Sequence, residues 1–128
     1  MSEELLDPEV AARGQEVRRQ VLGAGHVDSS YQVDELSRPK TQLSEYVWSK
    51  VWARPGLPLK SRSIACLAML TALNRPHELK LHVKAALNNG LTREEIGEVL
   101  LQTGAYCGIS AAEESFRIAQ EAFRERGI

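Results

Sequence analysis

With 128 residues and 16 Lys and Arg set against 17 Asp and Glu, the chain is long enough for one buried core and too evenly charged to suggest nucleic acid or an anionic membrane surface as a partner. No apolar run is long enough to span a bilayer, and Met1-Ser2-Glu3-Glu4 is acidic where a secretion signal is basic. A single cytoplasmic domain over residues 1–128 is expected. Cys66 and Cys107 lie in no Cys-x-x-Cys pattern, so a dithiol or thiolate metal site is not indicated and each is expected to be a buried free thiol.

Asp7-Pro8 predicts a helix start, an aspartate cap followed by proline at the first helical position, and Gly23 or Gly25 predicts its end. Gly25 to Pro39, with His26-Val27-Asp28, has no helical period and reads as a loop. From about Thr41 to Trp52 a helix is expected, with Leu43, Val47 and Val51 on one side and Trp48 and Trp52 stacked one turn apart on an adjoining side. Arg54-Pro55-Gly56-Leu57-Pro58 breaks it. Trp52 and Arg54 beside that turn read either as the frame of a small anion pocket or as core indole and surface cation.

Lys60 to Leu73 is apolar nearly all round, which predicts the buried centre of a bundle or a helix covered by another subunit, with Arg62 in its first turn. Asn74-Arg75-Pro76 reads as a turn into a helix that ends at Asn88-Asn89-Gly90 with a left-handed cap. Thr92 followed by Glu95 is a capping box, and Ile96, Val99, Leu100 and Thr103 then recur at helical spacing. Gly104 and Gly108 around Tyr106-Cys107 suggest close approach to a neighbouring helix or a ligand. Ser110 with Glu113 reads as a second capping box, ahead of a buried stripe of Ala112, Phe116, Ala119 and Phe123. No stretch alternates with period two. The fold class is therefore all-α, a compact bundle of about six helices.

The Pro76–Gly90 helix carries the chemistry of most interest. Glu78 and His82 are four residues apart, on one face with Leu79, Val83 and Ala86, so a titratable pair is drawn toward an apolar interior. The pair reads either as a helix-stabilising contact or as an acid–base unit, and spacing does not decide between them. No phosphate loop, Gly-x-Ser-x-Gly elbow or His-Glu-x-x-His is present. Two ligands on one helix face favour cofactor-free proton chemistry over a metal centre.

Trp52-Ala53-Arg54-Pro55-Gly56-Leu57, Arg62-Ser63, His77-Glu78-Leu79-Lys80-Leu81-His82, Ala85-Ala86-Leu87-Asn88-Asn89-Gly90-Leu91-Thr92, Glu98-Val99-Leu100-Leu101-Gln102 and Tyr106-Cys107-Gly108 together resemble the gamma-carboxymuconolactone decarboxylases. The likeness extends to Val17–Gly23 and to His26-Val27-Asp28, and so covers nearly the whole chain. The wider superfamily contains the alkylhydroperoxidase-D-like proteins with a Cys-x-x-Cys-x-x-x-His dithiol. Here His82 takes the histidine position while Arg75 and Glu78 stand at the cysteines, which favours the decarboxylase branch. Where the decarboxylases usually carry proline, this chain has Ser110.

The resemblance implies an all-α alkylhydroperoxidase-D-like fold, a homo-oligomer (trimer or hexamer), a small-molecule lactone substrate and no cofactor. It implies decarboxylation of gamma-carboxymuconolactone to the 3-oxoadipate enol-lactone in protocatechuate catabolism, the β-ketoadipate pathway. His82 would act with Glu78, with Arg54, Arg62, Tyr106, Cys107 and Trp52 around the substrate and no metal. The alternatives are a paralogue acting on another lactone or cyclic acid, a regulatory oligomer of the same fold, and a weak thiol peroxidase using Cys107.

Overall fold

The computed structural model describes residues 6–29 and 33–128, so the acidic N-terminal tetrapeptide and part of the expected loop lie outside the described residues. Among the described residues there are seven α-helices, one π-helical segment and no strand. The all-α expectation holds, with one helix more than the expected six. The chain divides into two compact units, residues 1–57 and 58–128.

In the first unit, α1 (Pro8–Leu22) starts as expected: the Asp7 carboxylate accepts from the Glu9 N–H at 2.8 Å. Gly23, at φ 89°, ends it. The stretch that reads as a loop is helical at its start. α2 (Ala24–Ser29) turns the chain so that Val27 is buried, and Arg19 pairs with Asp28 at 2.6 Å. One apolar anchor and one ion pair are too few to leave a helical period in the sequence. α3 (Arg38–Tyr46) also begins earlier than Thr41, with Pro39 in its first turn.

From Val47 to Trp52 the helix widens into π winding, in which the Ala53 N–H donates to the Trp48 carbonyl at 3.1 Å, five residues back. The wider turn moves the inward face. Trp48, Ser49 and Trp52 are buried, while Leu43 and Val51 are exposed, contrary to the face that α-helical spacing gives. The indoles stack with centroids 5.1 Å apart and planes 24° apart. α1 packs directly on this segment at Gly14, where a Cβ would stand 2.8 Å from the Ser49 amide nitrogen.

The second unit holds four helices: α4 (Leu59–Ala72), α5 (Pro76–Asn88), α6 (Arg93–Cys107) and α7 (Ile109–Arg126). Its core joins Leu67 of α4, Leu79, Val83 and Ala86 of α5, Ile96 and Leu100 of α6, and Ile118, Ala119, Ala122 and Phe123 of α7. Each fully buried Leu, Ile, Val or Phe side chain contributes about 1.5–3 kcal/mol.

α4 differs from expectation. Only Ser63, Leu67 and Thr71 are buried along it, whereas Met69 and Leu73 are 54% and 62% exposed. The other helices of its unit cover one face, so it is not a bundle centre within that unit. Two of its inward residues are polar and their hydroxyls are used: Thr71 Oγ1 donates to the Leu67 carbonyl at 2.8 Å, and Ser63 Oγ accepts from Asn89 Nδ2 at 2.8 Å.

α5 closes as expected. The Leu91 N–H reaches the Ala86 carbonyl (3.0 Å) and the Gly90 N–H reaches the Leu87 carbonyl (3.1 Å), with Gly90 at φ 94° and Leu91 buried. The Thr92 and Glu95 capping box forms reciprocally, both bonds at 3.0 Å. The second capping box does not. Gly108, at φ 107°, turns the chain so sharply that α7 begins at Ile109, which leaves Ser110 inside the first turn rather than at its cap. The buried stripe of α7 is accordingly Ser115, Ile118, Ala119, Ala122 and Phe123, with Phe116 only partly covered.

Candidate functional site

α5 is set by its neighbours at both ends. Ahead of it, Asn74 takes a left-handed φ of 57°, and the Arg75 N–H donates to the Leu70 carbonyl at 3.0 Å. Among the described residues Asn74 is the one non-glycine with positive φ, a conformation in which asparagine is several-fold enriched. Pro76 then fits the first helical position. At the far end, the Ser63–Asn89 bond holds the start of α4 against the end of α5. Along its length, Lys80 pairs with Glu121 at 3.2 Å and with Glu125, and Lys84 pairs with Glu125 at 3.1 Å, which sets the register of α5 against α7.

Leu79, Val83, Ala85 and Ala86 of α5 are buried. His82 is half-buried beside them, with its Nδ1 enclosed, while Glu78 is exposed. Only the histidine of the pair is therefore drawn inward. Glu78 lies in the first turn, where solvent reaches it and where the positive end of the helix dipole favours a carboxylate.

Arg62, one turn into α4, is half-buried with its Nε enclosed, next to Ser63 and hence at the Asn89 end of α5. Cys66, one turn further along α4, is half-buried, and burial pushes its thiol up from the ordinary value. Tyr106 is 86% exposed at the end of α6 and Cys107 is exposed beside it, so the expectation of a buried thiol fails for Cys107. The reason is the Gly108 turn, which puts both residues at the tip between α6 and α7. In the other unit Trp52 is buried against Trp48, and Arg54 is exposed just after the π segment.

Two clefts open in the second unit. One, of about 280 Å³, lies between the end of α4, the Asn74-Arg75 turn, the first turns of α5 and the start of α7. Leu70, Leu79 and Ile118 form its apolar floor, and Arg75, Ser110 and Glu114 are among its polar groups. Its α5 wall is Pro76 and Leu79, one turn short of His82. The other, of about 210 Å³, lies between α6 and α7, where the Arg93 guanidinium sits 5.1 Å above the Phe123 ring. Among the described residues no three His, Cys, Asp or Glu side chains gather as metal ligands, and no helix is long and apolar enough to cross a membrane.

The carboxymuconolactone decarboxylase family profile matches residues 40–121, a stretch that starts in α3 and ends in α7. The chain belongs to the carboxymuconolactone decarboxylase family. A 4-carboxymuconolactone decarboxylase of Acinetobacter baylyi is 38% identical over 118 residues, which is 91% of this chain and 88% of that protein. A nitrosuccinic acid decarboxylase of Metarhizium robertsii is 35% identical over 114 residues, 88% of this chain and 80% of that protein. The family match contains His82, Glu78 and both candidate arginines, Arg54 and Arg62, and it also contains three polar groups that motif spacing does not single out: Ser63, Arg75 and Asn89. The sequence places the last two in the turn and the cap that bound α5, without giving either a place in the site.

Proposed function

We propose that this protein is a cofactor-free carboxy-lyase that converts gamma-carboxymuconolactone to the 3-oxoadipate enol-lactone, in the cytoplasm, as a step of protocatechuate catabolism. The observation that carries this reading is the 38% identity to 4-carboxymuconolactone decarboxylase across 91% of the chain. The chemistry fits a protein that offers a histidine at the edge of an apolar core. In this substrate the leaving carboxylate is bonded to the ring carbon beside the lactone oxygen, and a ring double bond links that carbon to the lactone carbonyl. Breaking that C–C bond releases carbon dioxide and sends the electron pair onto the carbonyl oxygen as a dienolate. Protonation of the ring carbon next to the carbonyl then gives the enol-lactone. The substrate is its own electron sink.

The protein supplies donors, dryness and a proton. His82 is the proton donor or the hydrogen-bond donor to the carbonyl, and Glu78, exposed one turn earlier, is the carboxylate we assign to act with it on substrate binding. Its half-buried position beside Val83 and Ala86 strengthens electrostatic contacts to the developing charge. Arg62 is the cation we assign to the leaving carboxylate, with Tyr106 and Cys107 as further candidates in its unit and Trp52 and Arg54 as candidates in the other. The apolar residues that α4 leaves uncovered, Ile64, Met69 and Leu73, together with Leu101 and Ile109, support assembly as a homo-oligomer, a trimer or hexamer.

The test follows the lactone's absorbance with purified protein and with His82→Ala. The wild type consumes the lactone, and the variant loses about 10²–10⁴-fold in kcat, the usual contribution of one general acid. A variant that keeps most of its rate removes the histidine assignment. A second reading is favoured by the 35% identity to a nitrosuccinic acid decarboxylase: a related acid in which the nitro group takes the electron pair in place of the lactone carbonyl. Turnover of nitrosuccinate with no loss of the lactone selects it.

A further inference from the structure

The cleft of about 280 Å³ at the α4–α5 turn holds a cation that the reading above leaves unused. Arg75 stands at the N-terminal boundary of α5 and lines the cleft. Among the described residues it forms no ion pair. Its side-chain hydrogen bond is a long 3.5 Å approach of Nη1 to the Leu73 carbonyl. The carboxylate that also lines the cleft does not compete for it. Glu114 is held in a two-point fork by Arg117, with Nη2 to Oε1 at 2.7 Å and Nε to Oε2 at 3.2 Å. Of the other polar residues in the lining, Thr71 and Ser115 donate their hydroxyls to backbone carbonyls, which leaves Asn74 and Ser110, and the floor is Leu70, Leu79 and Ile118.

A guanidinium whose charge is unspent, set over an apolar floor, recognises a small organic carboxylate better than it does a hydrated inorganic anion. Position adds a second constraint. Leu79 lines the cleft, and His82 is its i+3 neighbour on α5, with about 5–6 Å between Cβ atoms at that spacing. A molecule anchored at Arg75 and lying along Leu79 points its other end toward the histidine.

We propose that this cleft is the subsite for the carboxylate the substrate keeps, and that Arg75 is the residue that holds it and selects dicarboxylic over monocarboxylic substrates. The proposal rests on the decarboxylase reading and places the retained acid at the Arg75 end of α5, away from Arg62, which lies at the Asn89 end. Ser110, where the decarboxylases usually carry proline, contributes a hydroxyl at the rim of the same subsite.

Two measurements on the full-length protein test it. In steady-state kinetics with the lactone, Arg75→Gln raises KM about tenfold or more with kcat within about threefold, the pattern of a contact kept in both ground and transition states, and Arg75→Lys falls between. A KM for Arg75→Gln within twofold of wild type overturns the proposal.

The second measurement needs no turnover. In an amide ¹H–¹⁵N titration with glutarate, shifts centre on Asn74, Arg75, Ser110 and Ala111 and vanish in Arg75→Gln. Shifts centred elsewhere, or unchanged in the variant, overturn the subsite. Glutarate binding at the cleft in a protein that leaves the lactone untouched would remove the decarboxylase reading and leave the subsite standing. Lactone turnover with neither cleft shifts nor a KM change would do the reverse.

Discussion

Replacing Gly104 by alanine should destabilise the second unit although alanine is the better helix former. At this position a Cβ would lie 2.6 Å from the Ala112 Cβ, roughly 1 Å inside the optimal carbon separation of about 3.5–4.0 Å. The methyl it meets cannot rotate away, since alanine has no side-chain torsion that moves Cβ, so α6 and α7 must separate. Overpacking of this kind costs about 1–3 kcal/mol, and the gain in helix propensity returns about 1 kcal/mol, which leaves a net loss of about 1–2 kcal/mol near the upper end of that range. Gly97, two turns earlier on the same face of α6, supplies the control. Its added Cβ meets only Phe116 Cε1 at 3.9 Å, an ordinary contact, so Gly97→Ala should stabilise by up to about 1 kcal/mol.

Urea unfolding at fixed protein concentration, read from midpoint and slope, measures both changes. The double variant Gly104→Ala/Ala112→Gly removes the clashing methyl and exchanges one helix propensity for the other, so it should return to within about 0.5 kcal/mol of wild type. If Gly104→Ala is as stable as wild type, or if the double variant is no better than the single one, the α6–α7 crossing is not the tight contact described.

Gly14→Ala should cost more, about 2–3 kcal/mol, because its Cβ meets the amide nitrogen and Cα of Ser49, and backbone cannot step aside. Both tryptophans of the chain lie in the adjoining π segment, so a shift in their near-ultraviolet dichroism reports the displacement, and an unchanged spectrum argues against it. Acid should unfold the protein through its depressed carboxylates. The Thr92 backbone N–H and then Lys60 hold Glu95 below the usual range, Arg117 does so for Glu114, and Lys80 and then Lys84 for Glu125. Groups depressed in the folded state contribute stability that is whole above the ordinary carboxylate value of 4.5 and is lost as the pH falls below it, so Glu125→Gln should flatten the acid limb of a Tm-against-pH curve, and an unaltered slope would contradict this. With a thiol reagent at pH 8, exposed Cys107 should react at least about tenfold faster than Cys66, whose thiol burial pushes up; loss of the fast phase in Cys66→Ser rather than Cys107→Ser would reverse the assignment.

Much of the fold was legible because helix ends are local. Asp7-Pro8, the Thr92–Glu95 box and Asn89-Gly90 each need only three or four neighbouring residues to satisfy a terminus, and each works as its spacing predicts. Where the local signal was shared between two geometries, the reading slipped. Ser110 and Glu113 have capping-box spacing, but the positive φ of Gly108 starts α7 two residues too early for them. Trp48 and Trp52 stack as expected, yet the face they bury follows π winding, which no residue pattern announces.

By itself the sequence determined the all-α class, the family and the helix that carries Glu78 and His82, since these depend on periodicity, short-range caps and ordered likeness along the chain. The tertiary structure decided which of those side chains meet solvent. It drew His82 inward and left Glu78 and Cys107 outside, it covered one face of a mostly apolar α4, and it opened a cleft beside Arg75 from segments 35 residues apart in the chain, Arg75 to Ser110. Burial is set by partners distant in sequence, and a cleft is the space those partners leave between them.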